Sequence, residues 1–358
     1  MVLKHFVYRS GLWNLDLNGI TDENLLVGKN SVGKSKSIRA IAHVAGIIIQ
    51  SKNLDGTIYV DFELSDGEKK IYYSFNAKNG SVLSESLIVE NGNESTRYII
   101  REENLSTLDG ETVNAPKDKL IIHIRRDTIQ YPFIEDIINW AQHVNGFSFN
   151  EIEQDSDYNT NAWFIGGSVS LFDMIHTVTE VQKGKTKGTN SIVKRMREVG
   201  YAVKNVEGIV PENFPEIRIV LLIEDNFLPP LFTNSLSKGM FRTLFTLSLL
   251  EYMVQTEKPS LLLIDDFCEG LDYDRSVSVG RMVFDFCKEN DIQLITASND
   301  SYLMDVVNLD YWHILHREGS DVSAINKFSD PNLFDDFEFS GLKNIHLLST
   351  DFIARHKK

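Results

Sequence analysis

The sequence predicts an α/β protein: a mixed central sheet, an added antiparallel β-region and a helical lobe. Three observations carry that prediction. Residues 24–50 read as a short buried strand, a glycine-rich loop and a helix in succession. Four alternating apolar and polar stretches lie within 57–101, separated by hairpin turn signals. From Phe133 onward the apolar spacing becomes helical.

The elements follow in order. Residues 2–9 (VLKHFVYR) and 12–17 (LWNLDL) read as strands leading to a third at 24–27. Residues 28–35, GKNSVGKS, then fit G-x-x-x-x-G-K-[ST] at every position. Gly28 and Gly33 let the backbone wrap closely around phosphate oxygens. Lys29, Asn30, Ser31 and Val32 form the loop between them, and Lys36 follows it into the helix of 37–50. N–H groups at a helix start, at its positive dipole end, favour an anion. Lys34 is expected to reach the β- and γ-phosphates of a nucleotide, and Ser35 to ligate Mg²⁺ through its hydroxyl.

Strands are expected at 57–64, 69–76, 82–90 and 96–101, broken by SDG, KNG and ENGN, and a further one at 120–125 (LIIHIR). FIEDIINWAQHV reads as a helix, and 150–162 as an acidic, polar loop. SVSLFDMIHTVTEVQ and SIVKRMREVGYAV read as two more helices, and 216–225 as a strand. LSKGM (236–240) opens a strongly apolar helix with Ser237 as its N-cap. LLLIDD (261–266) is the pattern of a buried parallel strand that delivers two carboxylates to its C-terminal edge. EGLD (269–272) follows it, then a strand at 292–300 (IQLITASND), a closing hairpin and a partly polar tail.

The chain has 358 residues and a net charge of −15, so any grip on nucleic acid must be local. The candidate is 183–197, where Lys183, Lys185, Lys187, Lys194, Arg195 and Arg197 occur with no acid; a solvated loop leading into a helix is the alternative. Cys268 and Cys287 have neither metal nor disulfide spacing and read as reduced core residues, which suits the cytoplasm. No stretch is apolar enough to span a bilayer, so no membrane partner is expected.

These motifs, in this order, resemble the ABC-type P-loop ATPase superfamily. The resemblance is to its soluble branch: SMC, Rad50, RecF and overcoming-lysogenization-defect (OLD) ATPases, including bacterial phage-defence ATPases. LSKGM is similar to the LSGGQ signature, LLLIDD to the Walker B strand and EGLD, with Asp272, to the D-loop. ITASND stands where the H-loop histidine is expected, at Ser298 or Asn299, and Gln130 takes the Q-loop position. The resemblance implies that Ser35, Asp265 and Gln130 hold Mg²⁺ and that Asp266 replaces the usual catalytic glutamate, one methylene shorter. Ser298 and Asn299 replace the γ-phosphate sensor. Both departures imply slow or gated hydrolysis.

It further implies a head-to-tail homodimer around two ATPs, with Ser237 and Gly239 of one chain facing the γ-phosphate on Lys34 of the other. Residues 1–128 and 257–358 are expected to build the nucleotide-binding lobe, with a helical lobe at 129–256 between them. The implied function is an ATP-driven switch that controls a separate effector or acts on nucleic acid, in the manner of phage-defence ATPases. A DNA-repair ATPase of RecF or Rad50 type is the alternative, and a transporter motor or self-contained nuclease fits less well. The middle segment is too short for a long coiled coil and shows no sustained heptads.

Overall fold

The computed structural model describes residues 1–358 apart from 12, 104, 150–161, 165–168, 186–190, 215, 228, 257–258, 351 and 354–358. The acidic stretch expected as a loop lies almost wholly outside the described residues.

The chain begins with a hairpin, β1 (Val2–Ser10) and β2 (Trp13–Leu17), followed by β3 (Glu23–Val27) and helix α1 (Lys34–Ile48). Next come β4 (Thr57–Ser65), β5 (Lys69–Lys78), β6 (Ser81–Asn91), β7 (Glu94–Glu102), β8 (Leu105–Leu108) and β9 (Glu111–Thr112). Each pairs antiparallel with the one before, and β4 pairs with β1. The alternating pattern therefore does build an appended antiparallel region, continuous with the central sheet.

The expected strand at 120–125 is instead a single helical turn, α2 (Ile121–Ile124). The cause is the buried Glu85 carboxylate of β6, which accepts from the Ile121 N–H at 2.6 Å and the Ile122 N–H at 3.3 Å. Those two donors are captured as helix-start groups and are lost to any strand ladder.

Helix α3 (Pro132–Gln142) forms as its periodicity predicts, and the chain then enters β10 (Val144–Ser148), parallel to the strand at 261–265. Within 129–256, β10 joins the main sheet and α3 packs beside α1. After β11 (Ala162–Phe164) come α4 (Leu171–Lys185), α5 (Ser191–Glu198), β12 (Val203–Ile209), β13 (Ile219–Glu224) and β14 (Leu231–Phe232). The last three form a separate antiparallel sheet. The helix expected to reach Val203 stops at Glu198, where Gly200 takes φ +89°, and residues from Val203 join β12.

Helix α6 (Lys238–Gln255), β15 (Leu261–Asp265), α7 (Tyr273–Glu289), β16 (Gln293–Ala297) and α8 (Ser301–Val306) complete the core. The hairpin β17 (Trp312–Glu318) and β18 (Asp321–Ile325) closes it, and the tail folds as α9 (Pro331–Phe339) and α10 (His346–Ser349).

Among the described residues the main sheet orders as β11-β10-β15-β16-β3-β17-β18-β2-β1-β4-β5-β6-β7-β8-β9. Strands β10, β15, β16, β3 and β17 run parallel. Side chains alternate across the sheet, so two cores form. Leu26, Leu261 and Leu263 pack with residues of α1 and α3, whereas Leu25, Leu262 and Ile264 pack with residues of α6 and α7. The C-terminal ends of β3, β15 and β16 lie side by side, which is where loops of an open parallel sheet converge on a ligand.

Candidate functional site: a phosphate loop facing paired carboxylates

All five residues of β3 are buried, and the strand delivers the chain to Gly28 at the sheet edge. Gly28 takes φ +150° and Gly33 φ +118°, backbone that other residues rarely adopt. Helix α1 starts directly after Gly33 and has no acidic side chain in its first turn. No side chain caps this helix start by a hydrogen bond, and N–H groups at a helix start favour an anion. Lys34 is 6% exposed, and its ammonium donates to the Gly28 carbonyl oxygen at 2.9 Å. Burial pushes the pKa of this ammonium down, and Asp266, Glu269 and Asp265 oppose that shift.

A cavity of about 620 Å³ opens over this loop. Asn30, Ser31, Gly33, Lys34, Ser35 and Lys36 line it, and so do Asp266 and Asn299 from the other side. Three lining residues carry no sequence motif: Ser10 and Trp13 of the β1–β2 hairpin, and Arg317 of β17. The Lys36 ammonium stands 4.5 Å from the centre of the Trp13 ring, a cation–π distance. Arg317 donates through Nη1 to the Ser31 carbonyl oxygen at 3.3 Å, tying β17 to the loop. Val32 points away from the cavity into the core, and Gly28 and Lys29 border a second, more apolar cavity with it.

Asp265 ends β15 and is buried, with Ser148 of β10 in register beside it. Asp266 turns the chain at φ +79°, a left-handed conformation costing on the order of 1–3 kcal/mol for a residue with a side chain. The turn is held by the Asp266 and Phe267 N–H groups, which donate to the Ala297 carbonyl oxygen at 3.0 and 2.9 Å. The two sensor candidates separate. Ser298 is fully buried; its hydroxyl donates to the Phe267 carbonyl oxygen at 2.7 Å and accepts from the Asp300 N–H at 2.9 Å. Asn299 alone of the pair reaches the cavity.

The remaining candidates lie off this cavity. Ser237 caps α6, accepting from the Met240 N–H at 3.2 Å, and is exposed. Gly239 packs against the segment 270–271, where an added Cβ would meet Leu271 Cδ2 at 3.1 Å. Asp272 caps α7 by accepting from the Arg275 N–H at 3.1 Å. Gln130 sits in an exposed turn, its N–H donating to Asp127 Oδ1 at 2.9 Å. The strand that ends beside Asp265 is β10, after which the chain passes outside the described residues.

Ser35 and Asp265 offer hydroxyl and carboxylate oxygen, the hard donors that Mg²⁺ takes. No group of three or more His, Cys, Asp or Glu among the described residues has metal-site geometry.

Comparison with solved structures identifies the architecture. One neighbour is an SMC head bound to the C-winged helix domain of ScpA, with TM-score 0.55 and 11% identity over 91% of this chain and 98% of that one. Another is the SMC head with an extended coiled coil, bound to the C-terminal domain of ScpA, from Pyrococcus furiosus. It has TM-score 0.51 and 10% identity over 94% of this chain and 99% of that one. The chain has the fold of an SMC head. No protein-family model matches this sequence, and no curated protein does either. No helix among the described residues is long and apolar enough to cross a membrane.

The basic stretch looks different in three dimensions. Lys187 and the side chains of Lys183 and Lys185 lie outside the described residues. Arg195 pairs with the largely buried Glu251 and lies over the Phe286 ring, and Arg197 donates to Asp225 at 2.6 Å. Lys194 faces Glu198 at 3.8 Å. Acids absent from the local sequence, Glu251 and Asp225, are supplied by other parts of the fold, so both arginines are paired. Cys268 and Cys287 are buried free thiols.

Proposed function

We propose that this chain is an SMC-like ATPase that binds Mg²⁺-ATP in the cavity over residues 28–36, hydrolyses it slowly and closes on a second copy when ATP is bound. One observation carries the reading: Lys34, Ser35 and Asp266 line a single cavity although the last is far from the first two in sequence. The Lys34 ammonium and the N–H groups opening α1 would face the triphosphate, and Ser35 in the cavity and the buried Asp265 at the end of β15 would be the Mg²⁺ donors. A Mg²⁺ held there would supply charge neutralisation at the phosphate oxygens. Asp266 positions the attacking water, and being an aspartate it reaches less far than glutamate, which makes closure rate-limiting.

The second copy supplies Ser237 and Gly239 to the γ-phosphate and brings Asp272 to the interface. The exposed N-cap of α6, off its own chain's cavity, supports that arrangement. The output passes to a separate effector protein. Two observations support this: the neighbouring SMC heads were solved with ScpA domains bound, and Phe214, Phe227 and Phe232 are exposed around the three-stranded sheet. The resemblance to phage-defence ATPases favours an effector of that kind.

Titration of a labelled ATP analogue with Mg²⁺ into wild type and Lys34→Ala tests the reading. The variant should bind at least about tenfold more weakly, since a charge-assisted contact is lost. Equal affinities would overturn the site.

A further inference from the structure

Glu269, in the turn after β15, holds the one sensor-position residue that reaches the cavity. Asn299 donates through Nδ2 to Glu269 Oε1 at 3.2 Å. A carboxylate only accepts, so this contact turns the amide nitrogen toward Glu269 and leaves Oδ1 for the cavity that Asn299 lines. Glu269 is itself fixed through its backbone. Its N–H donates to the Asp266 carbonyl oxygen at 3.2 Å, and its carbonyl oxygen accepts from Arg242 Nη1 at 2.8 Å. Arg242 lies on α6, with its guanidinium 5.5 Å from the Phe149 ring centre. The fit is close, because a Cβ added at Gly270 would meet Arg242 Nη1 at 3.0 Å.

Resting on the ATPase reading, we propose that Glu269 is a positioning residue for hydrolysis: it orients Asn299 so that Oδ1 accepts a hydrogen bond from the attacking water while Asp266 accepts the other. The water oxygen bonds to the γ-phosphorus as the bond to the β–γ bridging oxygen breaks, and that electron pair leaves on ADP. Asp266 takes the water proton and returns it to the product phosphate. Two short acceptors thereby fix a water that the shorter Asp266 carboxylate does not orient alone. The Glu269–Asp266 backbone contact keeps Asp266 and the carboxylate that holds Asn299 on one turn. The electrostatic pull of Glu269 on Lys34 and on Arg242 agrees with a carboxylate placed between the cavity and α6.

The test is single-turnover hydrolysis with the full chain in excess over ATP, read beside ATP affinity. Wild type, Glu269→Ala, Glu269→Gln, Asn299→Ala, the Glu269→Ala/Asn299→Ala double variant and Lys34→Ala are compared. Glu269→Ala should slow the chemical step by about tenfold or more, the scale of a misplaced reacting group, with affinity within about twofold. Glu269→Gln keeps an acceptor oxygen and should recover most of the rate. The double variant should be no slower than Asn299→Ala, because the two act as one unit.

Wild-type rates in Glu269→Ala, losses that multiply in the double variant, or affinity falling in step with rate would each overturn the proposal. So would a wild type that releases no phosphate. Loss of ATP binding in Lys34→Ala alongside any of these would leave the binding site standing, whereas unchanged binding there would overturn the P-loop reading itself.

Discussion

Gly28 lies so close to β17 that a Cβ built on it would stand 3.0 Å from the Leu315 carbonyl oxygen. The phosphate loop is thus wedged between the cavity and a backbone atom that cannot rotate away. Gly28 also takes φ +150°, outside the range of residues with side chains. Gly28→Ala should therefore destabilise the fold by about 1–3 kcal/mol and weaken ATP binding together. Chemical denaturation with and without ATP checks both. A variant with wild-type stability would mean that the loop has room the structure does not show.

Asp266→Asn keeps the size of the side chain and removes its charge. Hydrolysis should fall by about a hundredfold or more, the usual scale for a general base, while ATP affinity stays near wild type or rises. Rapid-quench phosphate release is the measurement. Undiminished turnover would place the base elsewhere.

Most of the fold was legible because its signals are local. The P-loop, the four alternating strands and the apolar runs at Leu261–Asp265 and Gln293–Ala297 each carry their pattern within about ten residues. Strand β10 was not legible, because Asn145 and Gly146 break its apolar run. Gly146 is there for packing, since a Cβ would meet Leu263 Cβ at 2.8 Å. A glycine required by a neighbouring strand looks, in sequence, like a turn. Ser10, Trp13 and Arg317 were missed for another reason: only the order β3-β17-β18-β2-β1 carries two hairpins round to the loop. The isolated look of Arg195 and Arg197 misleads likewise, since Glu251 and Asp225 reach them only through tertiary packing.

His313 links pH to stability. It is fully buried in β17, donating from Nε2 to Asn24 Oδ1 at 2.9 Å and accepting at Nδ1 from Asn326 Nδ2 at 3.1 Å. Both contacts suit the neutral ring, and burial pushes its pKa down from 6.5 to about 4. The unfolded chain takes up the proton first as pH falls. Stability should therefore drop from about pH 6.5 down to about pH 4, by up to about 3 kcal/mol in all. Glu85 acts in the opposite sense, since burial raises its pKa from 4.5 to about 7. The decisive quantity is thus the difference between wild type and His313→Gln, followed by urea denaturation from pH 7.5 to 5. That difference should shrink as pH falls, and a constant difference would show that the ring titrates normally.

The most direct test of the central claim, an ATP site shared between two copies, is the ATP-dependent change in mass measured by light scattering. Ser237→Asp is the informative variant. Aspartate caps helices as well as serine, so α6 should keep its start. Its carboxylate would nevertheless stand against the γ-phosphate bound by the other chain. With Mg²⁺ and a non-hydrolysable ATP analogue, wild type should double in mass, whereas Ser237→Asp should bind the analogue and remain at its nucleotide-free mass. A Ser237→Asp variant that associates with the analogue as wild type does would contradict the shared site.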